Sequence, residues 1–211
     1  LLTLFDQATM PASAFSPVFR GSLMSLLLHV GAELLLCAVC AWAWYRSLRA
    51  GQTWRAAGFA LMGAAALCGA LKYAGASGID TAHTALSQWS SRLSLLLIAI
   101  GVLRSRWWHL PVAAAAAALL LLPAAIVLVG NVLALLAIAY PGRSARWAWA
   151  IAGALLFMAA GLLVGTQGGW LGVPRVDVFH LTLAAAVLVW IAARLSEPRR
   201  RPALDLPVGL P

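Results

Sequence analysis

The apolar positions of this chain come in long unbroken runs rather than alternating with polar ones. Such runs lie near 22–45, 55–74, 83–103, 148–166 and 175–195, and each matches the about 20 mostly apolar residues that one bilayer crossing takes. A further apolar tract covers 110–141, interrupted by Pro123 and by Gly130-Asn131. Proline removes a backbone donor and breaks a helix interior, so this tract reads as one long kinked helix or as two short ones.

The distribution of positive charge separates those two readings. Lysine and arginine gather in the cytoplasmic loops of membrane proteins. Eleven of the fifteen basic residues lie in four short segments, "YRSLRAGQTWR", "RSRWW", "PGRSAR" and "RLSEPRRR"; only Arg20, Lys72, Arg92 and Arg175 fall elsewhere. For all four segments to share one side, the tract at 110–141 must cross twice, as a hairpin of short or tilted helices. The expected fold is an all-α integral membrane protein, a seven-transmembrane helix bundle with its N-terminus outside and its C-terminus cytoplasmic. Its expected parts are an external interfacial segment over 1–20, a seven-span membrane domain over 21–196 and a cytoplasmic tail over 197–211.

Composition agrees with this and narrows the partners. With 63% hydrophobic and 10% charged residues and a mean hydropathy of +0.91, the chain lies outside the range of soluble domains. Its net charge of +9 is accounted for by the loops and calls for no nucleic acid. The expected surroundings are the lipid bilayer of a bacterial inner membrane and other membrane subunits. Tryptophans in "WAWYR", "RWWHLP" and "RWAWA" sit beside the basic loops, as an interfacial aromatic belt does. The first twenty residues are too broken by Pro and Ser to span, and Phe5, Phe15 and Phe19 suit a segment lying on the surface. The chain begins with Leu, so further residues are expected upstream.

Depth then sorts the polar residues. Span one carries Ser25, His29 and Glu33 in its outer half, and the spacing of four puts His29 and Glu33 on one helix face. Asp80 and His83 open span three, and Asp177 and His180 open span seven, one turn apart in each case. Three of the four histidines thus share the outer half with the acidic residues that precede the tail. Ionisable groups within a membrane are costly and mark cavities and partners. Imidazole and carboxylate together suit zinc, and a catalytic zinc takes three protein ligands and a water. His83 and His180 are the expected first two ligands, with His29 or an aspartate, Asp177 among them, as the third. Asp80 or Glu33 would serve as general base toward a lipid-like amide or ester.

Other chemistries remain beside this one. Asp80 and Asp177 also suit helix N-caps, and Lys72 and Arg92 suit salt bridges to those carboxylates. A non-catalytic subunit of a larger membrane complex would use the same polar groups for helix packing. A haem protein would use two histidines on facing helices as axial ligands. Cys37 and Cys40 form a C-x-x-C inside an apolar helix and read as small buried residues. "GASG" at 75–78 matches the G-x-S-G of rhomboid proteases, but the span two helices later contains no histidine.

Three short motifs carry a resemblance. "DVFHLTLAAAVLVW" resembles the last span of the alkaline ceramidase, progestin/adiponectin-receptor and haemolysin III superfamily; "HTALS" at 83–87 is similar to the "HATLS" of alkaline ceramidases, and "SLLLH" at 25–29 to the superfamily's Ser-x-x-x-His. The resemblance implies a seven-span fold and a three-histidine zinc whose water attacks an amide or ester. It matches His180 to the second histidine of the final pair and His83 to an earlier ligand. Val176 stands where the first histidine of that pair would be.

Overall fold

The computed structural model describes residues 23–101, 109–141, 144, 146–170 and 172–195. The expected external segment over 1–20, the loop "RSRWW" and the tail over 197–211 lie outside the described residues. The described residues form seven α-helices: α1 (Leu23–Arg49), α2 (Thr53–Tyr73), α3 (Asp80–Ile100), α4 (His109–Leu121), α5 (Ala124–Ala139), α6 (Trp147–Ala159) and α7 (Arg175–Ala192). The last turn of α6 widens into a π-helix, Ala160–Val164, and a small hairpin of β1 (Gly169–Trp170) and β2 (Val173–Pro174) leads into α7.

Four stretches are long and apolar enough to cross a membrane: Met24–Arg49, Thr53–Tyr73, Trp147–Val164 and Arg175–Ala192. Helix α3 matches them in length but carries Asp80, His83, Gln88 and Arg92. The tract at 110–141 is two short helices, α4 and α5, parted at Leu122-Pro123, and Pro123 holds the extended N-cap position of α5.

Arginines that donate to helix-end carbonyls fix how the helices are arranged. At the start of α2, Arg55 is 2% exposed. Its guanidinium donates to the carbonyl of Ile98 near the end of α3 (3.2 Å), to the carbonyl of Leu195 just past α7, and to Gln52. The last carbonyls of a helix have no partner within it, and a cation there also meets the negative end of the helix dipole. Gly101 makes this possible, because a Cβ at that position would lie 2.3 Å from the Cβ of Arg55. At the start of α6, Ser144 donates to the carbonyl of Ala193, and Arg146 to that of Ala192 (3.3 Å). The ends of α1, α3 and α7 and the starts of α2 and α6 therefore meet at one end of the bundle, the Arg55 end. The opposite end carries Tyr73 and the α2–α3 connection.

Helix α4 sets out from the Arg55 end, where the rings of His109 and Trp54 lie 5.3 Å apart. Arg92, inside α3, receives its far terminus by donating to the carbonyls of Leu119, Leu120 and Leu122 at 2.8–3.2 Å. Helix α5 returns alongside α3, with Asn131 Nδ2 donating to the carbonyl of Ser91 (2.9 Å). The core lies toward the Arg55 end and is apolar, built on Leu36, Cys40, Phe59, Ile98, Val187 and Trp190. Trp190 stacks on Phe157 (5.5 Å, 15°), donates to the carbonyl of Ala150 (3.2 Å) and lies against Gly153, where a Cβ would meet its ring at 2.4 Å.

Candidate functional site

Near the Tyr73 end, α1 and α7 present their polar residues to each other. Nδ1 of His29 lies 2.7 Å from both carboxylate oxygens of Asp177. One turn further toward the Arg55 end, Nδ1 of His180 lies 3.3 Å from Oε1 of Glu33. This second contact is close enough for an ion pair but lacks hydrogen-bond geometry, so Nδ1 of His180 is buried without a hydrogen-bond partner. The two contacts are rungs of one ladder. Moving four residues along α1 moves three along α7 in the same sense, so the two helices run parallel. The rungs are crossed in type: α1 supplies imidazole then carboxylate, and α7 carboxylate then imidazole. Both carboxylates are buried, Glu33 at 2% and Asp177 at 1% exposure, while the imidazoles are 18% and 17% exposed.

Helix α2 closes the third side in antiparallel register. The ring of Tyr73 lies 4.8 Å from that of His29, tilted by 52°. Four residues earlier, Gly69 lies against Glu33, and a Cβ built there would sit 2.3 Å from Oε1. The carboxylate therefore occupies the space that any other residue at 69 would fill. Below this level Cys40 packs on Gly63, where a Cβ would lie 3.2 Å from its own; the three cysteines are free thiols. The polar ladder ends where the apolar core begins.

The remaining sequence-derived candidates lie outside the two rungs, His83 still within electrostatic range of His180. Asp80 pairs with Lys72 (3.1 Å) at the rim and is 72% exposed, far from the environment of a buried base. The N-cap positions are Ile79 and Pro174, so Asp80 and Asp177 lie inside their first helical turns rather than at the caps. Arg92 caps α4. His83 is half-buried in the first turn of α3. "GASG" forms an exposed connection with Gly75 and Gly78 at positive φ. Sequence spacing grouped Asp177 with His180; the fold separates them and gives each a partner on α1. Nothing in the sequence marked Gly69, one glycine among many in an Ala/Gly-rich helix, or the ring contact of Tyr73 with His29.

The chemistry of this donor set is that of oriented imidazoles. A carboxylate on Nδ1 fixes the tautomer that leaves Nε2 as the basic nitrogen, which is the arrangement around a general base and also around metal-binding histidines. Among the described residues, however, no three His, Cys, Asp or Glu side chains converge as a metal-ligand set. No known protein family, curated protein or solved structure matches the chain.

Proposed function

We propose that the chain is a polytopic protein of the bacterial inner membrane, crossing it seven times with its N-terminus outside, and that the α1–α7 ladder is a hydrolytic site for a lipid-like amide or ester. The observation that carries this reading is the symmetric 2.7 Å contact of His29 Nδ1 with both oxygens of Asp177. A carboxylate so placed orients the imidazole, leaving Nε2 to take a proton from water, and general-base assistance of this kind is worth about 10²–10⁴ in rate.

Depth supports the choice of substrate. Helix α1 has 27 residues, about 40 Å at 1.5 Å per residue, against a hydrocarbon core of about 30 Å. His29, six residues in, then lies near the boundary between headgroups and acyl chains, where the carbonyls of lipid amides and esters are found. The parallel run of α1 and α7, and the out-and-back path of α4 and α5, support the odd number of crossings.

A second reading has its own observation. Val112 is the one buried residue of α4, so nearly the whole of that helix faces outward, toward lipid or a neighbouring subunit. In a non-catalytic subunit the ladder would only lock α1 to α7.

Turnover of fluorogenic acyl-amide and acyl-ester lipids by the detergent-purified protein tests both. The hydrolytic reading expects His29→Gln and Asp177→Asn each to lose at least about 100-fold of that activity with helix content unchanged. A folded wild-type protein that turns over neither substrate class would leave the subunit reading. Elemental analysis and a visible spectrum belong to the same preparation. Stoichiometric zinc lost in both His29→Ala and His180→Ala would replace the dyad by a metal-held water, and a haem band would end both readings.

A further inference from the structure

The His29 ring is held on one edge by Asp177, and a swing about χ2 would carry Nδ1 away from both carboxylate oxygens. Equal distances from Nδ1 to both oxygens hold only while the ring keeps its present plane. The neighbour of that ring is Tyr73, the last residue of α2, with ring centroids 4.8 Å apart and planes inclined at 52°. A flat ring in tilted contact blocks rotation that an exposed imidazole would make freely. Beyond Tyr73 the chain leaves the helix at once into an exposed connection whose Gly75 and Gly78 take positive φ. Tyr73 therefore packs on His29 in the last turn before that exposed connection.

We propose that Tyr73 is a positioning residue of the ladder: its ring fixes the plane of His29 against Asp177 and screens the imidazole from water arriving past the α2–α3 connection. The proposal rests on the reading that the His29–Asp177 contact is the working part of the site. Helix α2 serves the two rungs in opposite ways, one turn apart. At the rung of His29 it supplies a ring that covers; at the rung of Glu33 it supplies Gly69, whose missing side chain leaves room for a carboxylate. The contact is between rings, so the hydroxyl is dispensable to this role and phenylalanine should replace tyrosine.

Diethyl pyrocarbonate, which acylates unprotonated imidazole nitrogen, tests this on the full-length protein in detergent, with modification at each histidine read by peptide mass mapping. His109, exposed at the start of α4, gives the reference rate. His29 is expected to react at least about tenfold more slowly than His109 in the wild type and in Tyr73→Phe, and to approach it in Tyr73→Leu and Tyr73→Ala. His180, on the next rung, should keep its wild-type rate throughout, which marks the bundle as closed. Equal His29 rates in wild type and Tyr73→Leu overturn the proposal. The wild-type chain supplies a second arm that needs no variant: the carbon-bound ring protons of His29 should carry a ring-current displacement in NMR spectra, and their absence would also overturn it. Neither arm depends on turnover, so loss of the hydrolytic reading with His29 still shielded separates the two outcomes.

Discussion

His29 and Asp177 are 148 residues apart in the chain and meet with a single nitrogen placed 2.7 Å from both carboxylate oxygens. Breaking such a part-buried pair costs more than never having made it, because one partner is left behind without compensation. His29→Ala and Asp177→Ala are each expected to lower stability by about 3–5 kcal/mol, whereas the double replacement His29→Leu with Asp177→Leu should be near neutral. Unfolding of the three variants in the same detergent checks this. A double variant as unstable as the singles would mean that the pair itself holds the bundle.

Gly69 and Gly31 lie in neighbouring helices and should respond oppositely to the same change. A methyl group at 69 would sit 2.3 Å from the Glu33 carboxylate, while at 31 nothing lies within 4 Å. Gly69→Ala is expected to destabilise by about 1–3 kcal/mol through overpacking. Gly31→Ala is expected to stabilise by about 0.5–1 kcal/mol through helix propensity. Thermal unfolding of the pair measures the difference, and equal shifts would refute the placement of Glu33 against α2.

Arg92 donates to three carbonyls at the end of α4, and no carboxylate is its partner among those contacts. Replacing it by Met removes the donors and leaves those carbonyls unpaired. Hydrogen exchange should then accelerate over 109–121 while 53–73 keeps its protection. Unchanged exchange in α4 would show that its anchoring lies elsewhere.

The direction of the helices yields a test in cells. With the Arg55 end cytoplasmic, a reporter fused after Arg201 is expected inside and one inserted at Gly168 outside. An external C-terminal reporter would leave the α1–α7 ladder on the cytoplasmic side and remove the argument from lipid depth in the outer leaflet.

Where each helix runs was legible in the chain, because an apolar run and its interruptions are local. The run at 175–195 corresponds to Arg175–Ala192, and Pro123 parts α4 from α5 as a proline should. What each polar residue meets was not legible. A spacing of three or four assigns two residues to one face of one helix but says nothing of which helix that face will find. Hence Asp177 and His180 read as a pair with each other, although each is bound to α1. Arg92 was open to a carboxylate partner for the same reason: carbonyls at the end of another helix carry no sequence mark. The candidate site was thus visible as a depth at which His29, Glu33, Asp177 and His180 coincide, and its wiring became visible only in three dimensions.

The clamp of Arg55 on the carbonyl of Leu195 also bears on how the protein is made. The guanidinium emerges early in synthesis, and one of the oxygens it donates to lies just past α7, 140 residues later. Until α7 is in place, the nascent chain carries a cation at the edge of the bilayer with part of its hydrogen-bonding capacity unspent, and such groups are costly there. The arrival of α7 therefore completes the contacts of Arg55, and a chain truncated before α7 is expected to hold this end of the bundle less tightly.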